Sequence, residues 1–172
     1  MNWSDYKTDK ATRHAYDRVY PLLMRNLPTD SVVLEVGVQH GGSLCLWHDM
    51  LPQCTIVGVD IIPRPNMPDD IIYHQMDAYT KQAVEKLSSL YANKCSMIID
   101  DGSHLVEDIC FFANNYLVLL QKNGIMVLED IPGEDGYKQV FPRVPEALQP
   151  FKVDLRLCKG SKDDILIVGG LS

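Results

Sequence analysis

The sequence lacks most of the features that identify a chain at sight. It has no CxxC pair, no long basic run, no apolar stretch long enough for a membrane span, and no internal repeat or low-complexity linker. The five cysteines, Cys45, Cys54, Cys95, Cys110 and Cys158, form no regular framework, and their odd number disfavours a fully paired disulfide scaffold. Reduced, structural thiols are therefore expected. A formal net charge of -7 repels phosphates and makes nucleic acid a poor partner. Lys7, Lys10, Arg13 and Arg18 cluster near the start, where they read either as a local basic patch or as the solvated face of a helix. Polar opening residues without a signal-peptide core set the expectation of a cytoplasmic protein with no membrane partner.

The common phosphate-binding motifs are missing as well. A GxGxxG pattern starting at Gly37 would need glycine where Gln39 stands, and no GK[ST] ending marks a P-loop. A nucleoside cofactor without a diphosphate suits this chain better than NAD or ATP.

What is present describes one folded α/β domain. The 172 residues, 46% hydrophobic and 23% charged, suffice for a single substantial core and are too few for two ordinary domains. Apolar runs at 32–36, 54–60, 71–77, 96–100 and 124–130 read as strands. Helical periodicity separates them, with Leu44, Trp47, His48 and Leu51 on one face, then Val84, Leu87 and Tyr91, then a helix expected over 105–120. KVDLRL and DILIVGG close the chain as antiparallel neighbours. The expected fold is a single, mostly parallel, doubly wound sheet with an antiparallel C-terminal strand. Residues 1–28 are expected as a helical lead-in with Ala15, Val19, Leu22 and Leu23 inward, and with Pro21 able to kink it.

Chemistry-bearing residues gather where strands give way to loops. Gly37, Gly41 and Gly42 in LEVGVQHGGS allow either a tight structural turn or close approach of a cofactor, with Glu35 as a hydrogen-bond acceptor. Asp60 ends the next strand, where a carboxylate can accept from ribose hydroxyls, and Asp77 either orients a base or caps a turn. IIDDGSH puts Asp100 and Asp101 at another strand end with His104 three residues beyond Asp101, and VLED supplies Glu129 and Asp130 at the next. Asp101, Glu129 and Asp130 have the oxygen donors that Mg²⁺ prefers, and a cation would offset their repulsion. His104 is either a cap or a base able to take a proton from a hydroxyl.

The series YKTDK, HAY, LEVGVQHGGS, GVD, IIDDGSH and VLED resembles, in order, the class I S-adenosylmethionine-dependent methyltransferases, particularly the metal-dependent sugar O-methyltransferases of macrolide biosynthesis. The resemblance implies a Rossmann-like fold that binds S-adenosyl-L-methionine near Thr8, Glu35, Gly37, Gly41, Ser43 and Asp60, with Asp77 toward the adenine. It implies Mg²⁺ on Asp101, Glu129 and Asp130, His104 as general base, and Asp100 facing the methyl-donor pocket or supporting the metal. Thr8, Asp9 and Lys10 match a segment that closes over the cofactor. The partner would be a small-molecule hydroxyl acceptor, a sugar or another natural-product intermediate. The stretch 129–151 would form the acceptor side, which a second copy of the chain could complete. The competing reading is a non-catalytic nucleoside-binding or assembly protein on the same fold, and a more distant one is a metal-dependent hydrolase that activates water with Asp101 and His104.

Overall fold

A computed structural model describes residues 2–171. The strands are β1 (Val32–Val36), β2 (Thr55–Asp60), β3 (Ile72–Gln75), β4 (Cys95–Asp100), β5 (Leu120–Leu128), β6 (Phe151–Asp154) and β7 (Ile165–Gly170). The helices are α1 (Tyr20–Leu23), α2 (Gly42–Met50), α3 (Lys81–Tyr91), α4 (Val106–Asn115), α5 (Gly133–Val140) and α6 (Arg156–Lys159). All seven strands form one sheet in the order β3-β2-β1-β4-β5-β7-β6. The pairs from β3 through β5 are parallel, and β7 runs antiparallel to both neighbours. The expected fold class is therefore the observed one.

Strand β1 is buried along its whole length, as a strand covered on both faces requires. Val32, Leu34 and Val36 enter one core with Leu87, Phe112 and Tyr116, whereas Val33 enters the other with Tyr16, Tyr20 and Trp47. This alternation follows from the two-residue period of a strand.

Register levels the strand ends that matter. Val36 is opposite both Val59 and Asp100, and Asp100 is opposite Leu128. The residues that follow are tied together by backbone hydrogen bonds, with the Asp101 amide donating to Val36 and the Glu129 amide to Asp100, each at 2.9 Å. Strand order reverses between β1 and β4, the position where open α/β sheets form a crevice.

Three expectations need correction. The helix expected over 105–120 stops at Asn115, a 3-10 turn follows at Tyr116–Leu119, and Leu120 already belongs to β5. The lead-in is not one helix: a 3-10 turn at Tyr16–Arg18 precedes the four-residue α1, with Pro21 in its first turn, where its missing amide is tolerated. Its buried side is Ala15, Tyr16, Tyr20 and Met24, while Leu22 is 71% exposed. Finally, 129–151, expected as an acceptor-side loop with a short helix, contains the short helix α5 but turns Ile131, Val140 and Leu148 into the core.

Gly37 is required by the crossing of the loops after β1 and β4. Its φ is +88°, and a Cβ there would lie 1.9 Å from the carbonyl oxygen of Asp101. Gly37→Ala is expected to cost at least about 2 kcal/mol, from left-handed strain plus a backbone collision. Urea denaturation with an unchanged m-value and a lower midpoint would bear this out.

Candidate active site

The carboxyl edge of the sheet opens into a cavity of about 630 Å³. One side is built from the ends of β1 to β3, with Gly37, Asp60 and Asp77; the other comes from the ends of β4 and β5, with Asp101, His104 and Asp130. A second cleft meets the first at Gly37 and Asp101 and includes Thr8 and Ser43. Gly41 lies farther out, beside Tyr6 and His40.

Local hydrogen bonds shape the β2 side. Asp60 Oδ2 accepts from the amides of Val38 (2.7 Å) and Gln39 (2.9 Å), so this carboxylate fixes the glycine-rich loop. Its Oδ1 meets only the Ile62 amide, at 3.3 Å. Asp77 accepts from the Tyr79 amide at 2.9 Å. The N-terminal segment packs on this loop: a Cβ on Gly42 would lie 2.1 Å from the Lys7 carbonyl oxygen.

On the β4 side, the Tyr79 hydroxyl donates to Asp100 Oδ1 at 2.6 Å and accepts from the Ser103 amide at 3.1 Å. It thereby holds the DDGSH turn. Asp100 is 2% exposed with Oδ2 unpaired, and burial pushes its pKa up to about 7. It lies beneath the cavity rather than in its wall. His104 and Asp130 both have left-handed backbones, with φ +56° and +49°, a strained state that gathers at functional sites. Nε2 of His104 is 3.9 Å from Oδ2 of Asp130.

Below this wall is a buried charged layer. Lys10 is 1% exposed, and its Nζ meets Glu129 Oε2 at 2.6 Å, Asp101 Oδ2 at 2.7 Å and Glu35 Oε1 at 3.3 Å. Burial disfavours the ammonium, but Asp101, Glu129 and Glu35 together hold its pKa well above the usual lysine value. Glu35 also accepts from the Trp47 indole N–H at 2.5 Å, and the Tyr20 hydroxyl donates to Glu129 Oε1. Burial raises the pKa of both glutamates, against the pull of Lys10.

Asp130 is supported separately. The Tyr16 hydroxyl donates to its Oδ1, and His14 Nδ1 lies 3.6 Å from the same oxygen. His14 stacks on Tyr16 with ring centroids 4.9 Å apart and pairs with buried Asp164. His14, Asp163 and Asp164 bring possible ligand atoms close together, and His14 also lies 3.6 Å from Asp9, while Asp163 pairs with Arg13.

The sequence-predicted residues thus separate into two layers. Gly37, Asp60, Asp77, Asp101, His104 and Asp130 share the cavity, and Thr8 and Ser43 border the adjoining cleft. The expected set of Asp101, Glu129 and Asp130 is not assembled. The ligand atoms that come within 4.8 Å of one another belong to Asp101, His104 and Asp130. Glu129 and Glu35 do not line the cavity: Lys10 and Tyr20 engage the oxygens of Glu129, and Trp47 engages Oε2 of Glu35, whose Oε1 makes no hydrogen bond and faces Lys10 as an ion pair. Residues 131–151 do not line the main cavity, whereas Asp163 does.

No protein-family model matches the chain. It is 27% identical over 116 residues to 8-demethyl-8-(2-methoxy-alpha-L-rhamnosyl)-tetracenomycin-C 3'-O-methyltransferase of Streptomyces olivaceus, covering 60% of this chain and 30% of that protein. MycE methyltransferase from the mycinamycin biosynthetic pathway, solved in complex with Mg, SAH and mycinamycin VI, superposes with a TM-score of 0.69 at 27% identity over 74% of this chain and 36% of MycE. The chain shares the fold of these methyltransferases and resembles part of each O-methyltransferase in sequence. Human methyltransferase-like protein 13, at 19% identity, shares the fold alone, with a TM-score of 0.70 over 93% of this chain and 82% of that one. The chain spans about a third of the length of the tetracenomycin and mycinamycin relatives.

Within this methyltransferase fold, Lys10, His14, Tyr16, Tyr20, Tyr79 and Asp164 have site roles that their local sequence did not reveal. Lys10 was legible only as part of the TDK resemblance, and Tyr16 only through HAY. Tyr16 and Tyr20, one helical turn apart, carried a weak signal of a shared face.

Burial opposes charge on His14, but Asp9, Asp130 and Asp164 hold its pKa up at about 9, against an ordinary 6.5. The stabilisation from this shift is full below pH 6.5 and is lost as pH rises through about 9. Thermal denaturation of the wild type and His14→Asn should show a gap in melting temperature that is widest near pH 6 and narrows by pH 9.5. A gap that does not change with pH would contradict this charge assignment.

Proposed function

We propose that this chain transfers a methyl group from S-adenosyl-L-methionine to a hydroxyl of a small molecule, a sugar or a related natural-product intermediate, with assistance from Mg²⁺. The observation that carries this reading is one cavity in which Gly37, Asp60 and Asp77 face Asp101, His104 and Asp130. Its size lies within the roughly 300–1,000 Å³ of small-molecule sites. The kinship to O-methyltransferases supports the same chemistry.

The residues present fit both groups. Asp60 and Asp77 offer acceptors to a nucleoside beside a loop where glycine permits close approach. The cofactor supplies an electrophilic methyl group when bound. Asp101 and Asp130 would hold Mg²⁺, which is commonly bound through one or two carboxylates plus water or substrate oxygens, and which supplies positive charge to an acceptor oxygen.

The protein's own work is placement and proton removal. Thr8 and Ser43 line the cleft that adjoins the glycine loop at Gly37. His104, 39% exposed and next to Asp130, accepts the acceptor hydroxyl's proton at a ring nitrogen, and Asp130 steadies the imidazolium that results. Tyr79 keeps the turn bearing His104 in place. No covalent enzyme intermediate is required, because alignment of acceptor oxygen and methyl group supplies much of the rate.

Incubation of the protein with S-adenosyl-L-methionine, Mg²⁺ and a panel of glycosylated and phenolic acceptors, followed by mass spectrometry, should reveal a mass gain of one methylene. His104→Ala should lower kcat by roughly 10²- to 10⁴-fold while leaving cofactor affinity near wild type. Cofactor binding without turnover across the panel would instead favour a nucleoside-binding protein on the same fold.

A further inference from the structure

We propose that Lys10 is the resident cation of the buried carboxylates Glu35 and Glu129, so that a divalent ion is held by the cavity-facing Asp101 and Asp130 without Glu129. The proposal rests on the metal-assisted reading for the existence of the ion, but not for the role of Lys10. It departs from the three-carboxylate set that the sequence resemblance implies.

The geometry divides two adjacent acids. Glu129 is 1% exposed, and both of its oxygens are used, Oε1 by the Tyr20 hydroxyl and Oε2 by Lys10 at 2.6 Å. Asp130 is 13% exposed, lines the cavity and stands near His104. The left-handed backbone at Asp130 breaks the regular course of the chain just past β5. Asp101 joins the layers: Lys10 engages its Oδ2, while the residue itself lines the cavity. Glu129 could join a divalent ion only by setting it against the Lys10 ammonium at Oε2 or the Tyr20 hydroxyl at Oε1, at the expense of one of those buried contacts.

Lys10 also performs a task that an exchangeable ion would otherwise perform. Glu35 lies in β1 and Glu129 just past β5, both are fully enclosed, and without compensating charge their burial would be strongly unfavourable. A lysine from the N-terminal segment supplies that charge covalently, at all metal concentrations. It also anchors the segment that runs over the glycine loop, since Lys7, whose carbonyl borders Gly42, is only three residues away.

The test is Mn²⁺ binding, followed by the electron paramagnetic resonance of the free ion, without cofactor or acceptor. The comparison is between wild type, Glu129→Gln, Asp130→Asn and Lys10→Met. Asp130→Asn should weaken binding by about tenfold or more, while Glu129→Gln should stay within about threefold of wild type. Lys10→Met should bind about tenfold more tightly, because a positive charge beside Asp101 has gone. Glu129→Gln is conservative in shape and keeps the test decisive if Lys10→Met does not fold. A loss in Glu129→Gln matching that in Asp130→Asn would overturn the proposal, as would weaker binding by Lys10→Met. If wild type binds no Mn²⁺ but Lys10→Met does, the role of Lys10 stands and the metal-assisted reading falls. If neither binds, the metal-assisted reading falls, and the two-carboxylate ion site proposed here is overturned with it.

Discussion

The site depends on how the protein tolerates a concentration of carboxylates at one sheet edge. Parallel strands of equal reach place Glu35, Asp101, Glu129 and Asp130 close together, and burial in a low-dielectric setting magnifies their repulsion. The Lys10 ammonium, with hydroxyls from Tyr16 and Tyr20 and the ring of His14, offsets that repulsion from within the chain. All four groups come from one short N-terminal segment. The support of the cavity wall therefore depends on this segment being seated.

That arrangement divides the labour between two layers. The lower layer is closed and largely paired around Lys10, and it holds Asp101 Oδ2 from below. The upper layer leaves Asp101, His104 and Asp130 accessible from the cavity. Two of the chain's left-handed non-glycine residues, His104 and Asp130, lie in that upper layer, where packing and hydrogen bonds beneath can hold them. The acids at the β2 and β3 ends work differently. Asp60 secures the glycine loop through one oxygen and leaves the other nearly free, so a single side chain can organise the loop and still meet a ligand.

The sheet was largely legible because its signals are local. Val32–Val36 is an unbroken apolar run, and the α3 stripe of Leu87 and Tyr91 recurs with helical spacing. The end of α4 misled for a related reason. Tyr116 and Leu120 continue the helical spacing, and their apolar character is satisfied equally by a 3-10 turn leading into a strand. The site was legible as a set of strand ends but not as contacts. Lys10 meets Glu129 across 119 positions and His14 meets Asp164 across 150, and no local pattern encodes such pairings. The lead-in departs from its apolar pattern because Tyr16 and Tyr20 turn inward to acids just past β5, leaving Leu22 outside.

The central claim is that the crevice between the β1–β3 ends and the β4–β5 ends receives the methyl donor. Calorimetric titration with S-adenosylhomocysteine tests it most directly, with wild type compared to Asp60→Asn. The account predicts saturable one-to-one binding by wild type and a loss of about tenfold or more in affinity on replacing Asp60, as expected when a charge-assisted hydrogen bond to the ligand is weakened. Absence of binding by folded wild-type protein, or equal affinity in the two proteins, would contradict it.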